Sequence, residues 1–146
     1  MINPEVLREY DIRGIYGKSL TLKDISKIAL AISKKLKENN SFDIIIGHDG
    51  RASSLEIKNT LIDNFISYGI EVIDISLIPT PVSYFASKYY KISNLIMITG
   101  SHNPKEYNGL KMIINNKPFF GDLIKSLNDI DTSDLNKKKK NIMFKD

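Results

Sequence analysis

The chain has no cysteine among its 146 residues, which excludes disulfide bonds and thiolate metal sites and says nothing about redox compartment. No apolar run approaches the roughly 20 residues that a membrane-spanning helix needs. The first residues, Met1 to Glu5, lack the basic and then apolar pattern of a secretory signal. We therefore expect a cytoplasmic protein without a membrane partner.

The net charge of +4 originates at the C-terminal end of the chain. Residues 135–146 hold five lysines and one acid, and the remaining residues carry equal numbers of basic and acidic side chains. A lysine run near a chain end is typical of a solvated tail, so we expect no nucleic-acid partner. We predict one domain over residues 1–134 and a lysine-rich tail over residues 135–146.

Apolar periodicity predicts helices that alternate with buried strands. Two capping-box patterns, at Thr21 with Asp24 and at Ser53 with Glu56, precede helical apolar spacing. Continuous β-branched runs, such as residues 44–46, are typical of strands buried on both faces. We predict a three-layer α/β/α domain with a mainly parallel, mixed sheet of about four strands. The predicted helices cover residues 21–39, 53–68, 80–90 and 122–130, and the predicted strands cover residues 43–47, 70–75, 95–99 and 110–114.

Polar, turn-forming segments follow two of these strands. They read GHDGR at residues 47–51 and TGSHNP at residues 99–104. In open α/β sheets, ligands bind at the carboxyl ends of the strands. Turn chemistry explains the glycine, asparagine and proline, but not a hydroxyl, an imidazole and a carboxamide together after a buried strand. From spacing alone, a functional loop and an ordinary serine-containing turn are equally good interpretations.

The TGSHNP segment, with NGLK at residues 108–111, resembles the active-site serine loop of the α-D-phosphohexomutases. That family's loop is written T-(A/G)-S-H-N-P, with N-G-(F/L/I)-K close behind. The resemblance covers roughly residues 5–130, is closest to the bacterial phosphomannomutase/phosphoglucomutase branch, and reaches only the first of the family's four domains. Three further segments agree with family motifs in their order: YDIRG at 10–14, GHDGR at 47–51 and PTP at 79–81.

The resemblance implies that Ser101 is phosphorylated in the resting enzyme. It would give its phosphoryl group to a hexose phosphate and take one back from a 1,6-bisphosphate intermediate. Because phosphoryl transfer depends on positioned cations, Arg13 and Lys111 would bind near the transferring group, and Lys111 would also act as a general acid or base. The alternatives are an ordinary surface lysine at position 111 and, for Arg13, an ion pair with Asp11 or Asp49.

The other motif residues receive roles from the same resemblance. His102 would orient the reacting oxygen or exchange a proton with it, or would simply hydrogen-bond the loop. Asn103 would hold the geometry of the serine and contact the substrate, and Tyr10 would shape the cleft. Asp49 and Arg51 are predicted to pin the serine loop without touching the substrate.

The resemblance also implies Mg²⁺ as a cofactor, glucose 1,6-bisphosphate as an activator and a hexose phosphate as the substrate. Ser101 would ligate the metal through its phosphoryl group. The family's D-G-D-x-D-R magnesium loop, its G-E-x-S-G sugar loop and its R-x-S-x-T-E-P-like phosphate loop occur nowhere in the sequence. A phosphoserine alone leaves magnesium mostly water-bound, so we expect weak metal binding by this chain alone.

Three interpretations of the chain remain open. It is a mutase fragment whose remaining domains lie on a separate partner chain, a truncated and non-catalytic remnant, or a sugar-phosphate or partner-binding module without turnover. We favour a truncated member with little mutase activity alone. An exposed apolar patch is expected where the other domains of the family pack, and the apolar residues 142–144 are a candidate for part of that contact.

Overall fold

The computed structural model describes residues 1–135, so the predicted tail lies outside the described residues, except for residue 135, and so does the apolar segment 142–144. This part of the chain forms six strands and four α-helices. In chain order they are β1 (Ile12–Ile15), α1 (Leu22–Glu38), β2 (Asp43–His48), α2 (Ala52–Ser67), β3 (Glu71–Leu77), α3 (Thr80–Tyr90), β4 (Leu95–Ile98), β5 (Tyr107–Ile114), β6 (Lys117–Pro118) and α4 (Asp122–Lys125).

The six strands form one sheet in the order β1-β5-β4-β2-β3, with β6 paired to β5. β2 runs parallel to β3 and β4, whereas β5 runs antiparallel to β1, β4 and β6. Every strand except β5 therefore points in one direction, which confirms a mixed, mainly parallel sheet. The predicted count of about four strands was wrong. The two additional strands are β1, at residues 12–15, which pairs with β5, and β6, which is too short to give a period-two signal.

Helices cover both faces of the sheet, as predicted. Ile44 and Ile46 of β2 pack into a large core with α1 and α2, and Ile45 packs into a smaller core with Ala86 of α3. Successive side chains of a strand point to opposite faces, so a continuous apolar run fits a strand that lies between two layers of helices. This arrangement confirms the three-layer architecture.

Of the two predicted capping boxes, only the first forms. Thr21 accepts a hydrogen bond from the Asp24 amide, and the Asp24 carboxylate accepts one from the Thr21 amide. The box predicted at Ser53 and Glu56 is wrong, because α2 begins before Ser53 and its N-cap residue, Arg51, makes no side-chain cap. Ser53 therefore lies inside the first turn of α2.

The ends of the other elements differ from prediction by small amounts. α3 covers the predicted residues 80–90, with Pro79 as its N-cap. Gly69 follows α2 with a φ of +82°, a conformation that is common for a glycine just past a helix. The helix predicted over residues 122–130 divides into α4 and a 3-10 turn at Ser126–Asp129. The strand predicted over residues 110–114 begins earlier, at the N-terminal end of β5.

The outer face of α3 carries exposed aromatic residues. Phe85 is 67% exposed and Tyr89 70% exposed, and their rings stack with centroids 6.1 Å apart. An apolar groove beside them is lined by Ile75, Ile78 and Val82. An exposed apolar patch was expected, and the structure has one on α3; the identity of what packs there stays a prediction. Within residues 1–135, no helix combines the length and apolar character needed to cross a membrane.

Candidate active site

Ser101 lies in the loop between β4 and β5, where its backbone is left-handed with a φ of +52°. Few residues other than glycine adopt this conformation, and it persists where surrounding contacts hold it. The Ser101 amide donates to Thr99 Oγ1 at 2.9 Å, and its carbonyl accepts from Arg51 Nη2 at 3.0 Å. Its hydroxyl oxygen accepts from Arg13 Nη2 at 3.2 Å. The amide, the carbonyl and the hydroxyl oxygen of the serine each therefore have a hydrogen-bond partner, while the residue stays half-exposed.

Arg51 holds the serine loop through the backbone. Its Nη1 donates to the carbonyls of Pro104 at 2.7 Å and Tyr107 at 3.2 Å, and its Nη2 donates to those of Ser101 at 3.0 Å and Asn103 at 2.8 Å. A guanidinium presents its donors in a rigid planar fork, so one side chain fixes four carbonyls at once. The pinning role predicted for Arg51 matches these contacts.

Asp49 connects Arg51 to the start of the same loop. Its carboxylate accepts from the Arg51 Nε at 3.2 Å, from the Gly100 amide at 3.1 Å and from the Ser54 hydroxyl at 2.6 Å. Burial alone would raise the pKa of Asp49, but these hydrogen bonds to its ionised form outweigh burial and lower the pKa below its ordinary value. The carboxylate is thus a stable, charged anchor for the loop.

Asn108 anchors the other end of the loop to α2. It is fully buried at the start of β5 and donates to the Ser53 hydroxyl at 2.8 Å and to the Ser54 hydroxyl at 3.0 Å. Ser54 in turn donates to Asp49. The first turn of α2 therefore binds both Asp49, which holds the start of the serine loop, and Asn108, at the start of β5.

Arg13 reaches the loop from β1 and is 9% exposed. Its Nη1 donates to the Gly100 carbonyl at 3.1 Å and to Asn103 Oδ1, and its Nη2 donates to Asp11 Oδ2 and to the Ser101 hydroxyl. Its Nε is buried and has no hydrogen-bond partner among residues 1–135. Arg13 therefore forms an ion pair with Asp11 and also lies beside Ser101, so both interpretations that the sequence left open apply to it.

Gly109 allows β1 to bring Arg13 this close. Gly109 of β5 lies directly opposite Arg13, and its carbonyl accepts from the Thr99 amide at 3.0 Å. A Cβ at position 109 would lie 2.1 Å from the Ile12 carbonyl oxygen, a backbone atom that cannot swing away. Because Gly109 has no side chain, β1 and β5 can approach each other closely beside the serine loop.

Three of the predicted site residues have side chains without a polar partner among the described residues. His102 is exposed, Tyr10 is 78% exposed and Lys111 is partly buried, and their side chains make no hydrogen bond or ion pair with residues 1–135. Lys111 follows Gly109 by two positions on β5, so it faces the same side of the sheet as Arg13. The structure thus assembles Arg13, Ser101 and Asn103, and the roles of Tyr10, His102 and Lys111 stay predictions.

The loop is also positioned by hydrogen bonds with three residues that had no predicted role, namely Thr99, Ser54 and Asn108. Thr99 and Asn108 each open one of the motifs on which the resemblance rests. Ser54 had no comparable signal, because its contact with Asp49 depends on the place where α2 begins.

The described residues do not form a complete magnesium site. Residues 1–135 contain no group of three His, Cys, Asp or Glu side chains that is arranged to hold a metal ion. The carboxylates of Asp11 and Asp49 already bind Arg13 and Arg51. Mg²⁺ prefers six oxygen ligands in octahedral geometry, so a phosphoryl group on Ser101 would not by itself complete such a site.

Comparison with known proteins identifies one matching family. The family profile described as phosphoglucomutase/phosphomannomutase, alpha/beta/alpha domain I, matches residues 4–134. A phosphomannomutase/phosphoglucomutase of Pseudomonas aeruginosa is 34% identical over 131 residues, which are 89% of this chain and 28% of that protein. A phosphoglucomutase of Neisseria meningitidis serogroup B is 38% identical over 123 residues, 84% of this chain and 27% of that protein.

The fold is also that of a solved family member. The crystal structure of a phosphoglucomutase/phosphomannomutase family protein from Burkholderia thailandensis has a TM-score of 0.81 at 32% identity, over 88% of this chain and 30% of that one. The chain spans less than a third of the length of these relatives. It belongs to the phosphoglucomutase/phosphomannomutase family and corresponds to the family's alpha/beta/alpha domain I.

Proposed function

We propose that this domain supplies the phosphoserine of an α-D-phosphohexomutase, with Ser101 as the carrier of the transferred phosphoryl group. The observation that carries the proposal is the 3.2 Å contact between Arg13 Nη2 and Ser101 Oγ, in a loop whose carbonyls Arg51 holds. Relatives named as phosphomannomutases and phosphoglucomutases support the reaction class.

The reaction consists of two transfers. In the first, the bond between phosphorus and Ser101 Oγ breaks as a hydroxyl oxygen of the hexose phosphate bonds to phosphorus. The sugar hydroxyl loses its proton and Ser101 Oγ gains one, which leaves a serine hydroxyl and a hexose 1,6-bisphosphate. In the second, the other phosphoryl group of the bisphosphate moves back to Ser101, and the net result is an isomerised hexose monophosphate.

Arg13 supports both transfers at the serine oxygen. Negative charge develops on Ser101 Oγ as the phosphoryl group leaves, and Arg13 Nη2 already lies at hydrogen-bond distance from this oxygen. A donor that is in place before the reaction needs no reorganisation at the transition state, which makes preorganised contacts effective in catalysis. The contacts of Arg51 with the loop backbone hold Ser101 so that its Oγ stays within reach of Arg13 Nη2.

The remaining predicted residues have free polar groups for the sugar phosphate. The side-chain oxygen of Asn103 accepts a hydrogen bond from Arg13. Its side-chain nitrogen donates to no residue within 1–135, so that nitrogen is available to the substrate. Lys111 faces the same side of the sheet as Arg13 and offers a cation. His102 is exposed next to Ser101 and offers a group for proton exchange, and Tyr10 offers an exposed ring at the start of β1.

We assign only the phosphoserine chemistry to this domain. The sequence contains no D-G-D-x-D-R, G-E-x-S-G or R-x-S-x-T-E-P-like segment, so full magnesium ligation, sugar discrimination and anchoring of the second phosphate require further mutase domains. Without these groups the substrate is poorly oriented, and slow turnover by the 146 residues alone is expected. Cytoplasmic location and glucose 1,6-bisphosphate as an activator belong to the same proposal.

The test is the intact mass of the chain after incubation with glucose 1,6-bisphosphate in a buffer that contains magnesium. We expect wild type to gain one phosphoryl group, about 80 Da, and S101A to gain nothing. S133A, which removes an exposed hydroxyl beyond α4, is the matched control and should gain the same mass as wild type. An adduct on S101A, or none on wild type, would refute the assignment and favour a module that keeps the fold without the chemistry.

A further inference from the structure

α3 carries its large side chains on the outside of the domain. The residues that it buries against the sheet are small, namely Ser83, Ala86 and Ser87. Phe85 and Tyr89 lie on the outer side and are 67% and 70% exposed. A helix that only covered the sheet would show the opposite pattern, with its large apolar residues inside and its polar residues outside. The outer side of α3 therefore fits a contact that residues 1–135 do not supply.

The exposed residues form a stripe along α3. Val82, Phe85 and Tyr89 follow each other at spacings of three and four residues, which places them along one side of the helix. Together with Tyr90 and with Ile75 of the edge strand β3, they line a groove of about 280 Å³. We call these five residues the α3 face. None of them carries a charge.

The α3 face is self-complementary under a two-fold rotation. α3 runs from residue 80 to residue 90, so Phe85 is its central residue. When two copies of the helix pack antiparallel, Phe85 meets Phe85 of the second copy, and Val82 meets Tyr89 of the second copy. A small residue thus faces a large one, and a two-fold dimer requires a patch that matches itself in this way. Because the face is uncharged, a second copy is not repelled, whereas a charged partner would find no complementary charge on it.

The exposed area is close to what a reversible dimer needs. The side chains of Val82, Phe85, Tyr89 and Tyr90 are between 44% and 70% exposed. At about 200 Å² for a fully exposed large side chain, they present roughly 450 Å² in each copy, or about 900 Å² in a pair. Specific interfaces bury about 1,000 Å² or more, and polar residues around the face would supply the difference. An area of this size fits a weak dimer that exchanges with the monomer.

We propose that the α3 face is the contact of a reversible homodimer, in which two α3 helices pack antiparallel around Phe85. Packed helix axes lie about 8–10 Å apart, so an aromatic ring of each copy reaches the groove of the other. The residues of the face are not part of the serine loop, so the dimer does not depend on the proposed function. The alternative occupant is a further mutase domain, and the experiment distinguishes the two.

Sedimentation velocity of the full 146-residue chain, from low to high micromolar concentration, tests the proposal. We expect the average mass of wild type to approach twice that of the monomer at the highest concentration. F85E and Y89E place a charge on the face and should stay monomeric, with thermal midpoints like that of wild type because both positions are exposed. L55E, at a leucine of α2 that is 53% exposed, is the matched control and should dimerise like wild type.

A cysteine at position 85 tests the antiparallel arrangement, since the natural chain has no cysteine. Packing around Phe85 brings the two Cα atoms at this position within the roughly 7 Å that a disulfide spans. F85C should therefore form a linked dimer under mild oxidation by glutathione disulfide, and L55C, the control, should not.

Two results would overturn the proposal. A wild-type chain that stays monomeric at every concentration would exclude the homodimer and leave the α3 face to a further mutase domain. Dimers that persist in both F85E and Y89E, or L55C that links as readily as F85C, would place the contact on another surface. Phosphorylation of Ser101 enters neither measurement, so failure of the proposed function would leave both results valid.

Discussion

Arg13 donates from Nη2 to the Ser101 hydroxyl oxygen across 3.2 Å, although the two residues are 88 positions apart in the sequence. The contact exists because β1 pairs with β5, which places Arg13 opposite Gly109 and beside the start of the serine loop. The register of a single edge strand thus determines whether the serine has a cation at its oxygen.

Replacement of Arg13 by lysine should slow phosphorylation of Ser101 by glucose 1,6-bisphosphate by about 100-fold, the usual cost of one preorganised donor at a reacting oxygen. A lysine keeps the charge but lacks the planar fork that reaches Gly100, Asn103 and the serine together. A time course of intact mass measures the rate. R8K, at an exposed arginine, is the control, and equal rates for R13K and R8K would contradict the role.

The R51K variant should loosen the serine loop. Loss of most of its hydrogen bonds to four carbonyls is expected to lower the free energy of unfolding by about 2–4 kcal/mol. Amide hydrogen exchange in residues 99–106 should accelerate more than exchange in α1, because the clamp is local. Unchanged protection of the loop would show that other contacts hold it.

The stabilisation contributed by Asp49 should depend on pH. Its folded-state pKa is lowered from the ordinary 3.8, so its stabilisation is complete above the unfolded-state pKa and is lost as the pH falls through the folded-state value. D49N should therefore be less stable than wild type at neutral pH, by about 2 kcal/mol. Urea unfolding should show this difference shrinking below the ordinary pKa, and a difference that stays constant on acidification would contradict the assignment. D63N, which removes an exposed carboxylate of α2 far from the serine loop, is the control.

A methyl group at position 109 should separate β1 from β5. G109A places a Cβ 2.1 Å from the Ile12 carbonyl oxygen, and the overpacked strand pair should lose about 1–3 kcal/mol of stability. G50A is the matched control, because a Cβ there meets only Leu77 Cδ1, at 3.9 Å. Thermal unfolding of the two variants compares them, and equal midpoints would show that the close approach at Gly109 carries no cost.

The sequence predicted the elements whose signals are local. The apolar run at residues 44–46 predicts β2, and the capping box at Thr21 predicts the start of α1. Each signal lies within a few neighbouring residues. β1 lacks such a signal, since Arg13 and Gly14 interrupt its apolar pattern. Its existence depends on pairing with β5, almost a hundred residues later, and local periodicity does not report pairing.

The site residues also divide into those with a local sequence signal and those whose contacts depend on distant parts of the chain. The TGSHNP segment identified Ser101 as the candidate, and the GHDGR segment identified Arg51 as a residue that pins the loop. The division of the Arg13 guanidinium between Asp11 and Ser101 depends on side-chain packing across three strands, which spacing does not encode. His102 and Lys111 make no side-chain hydrogen bond or ion pair within residues 1–135, so their roles stay predictions.

The most direct test of the central claim is a chase of the phosphorylated chain. Wild type is loaded with glucose 1,6-bisphosphate, freed of excess reagent and mixed with glucose 1-phosphate or glucose 6-phosphate. We expect the protein to lose about 80 Da while an equal amount of hexose bisphosphate forms, because Ser101 returns its phosphoryl group to the sugar. A phosphoryl group that stays on the protein, or that leaves only as inorganic phosphate, would contradict a transferable phosphoserine at Ser101.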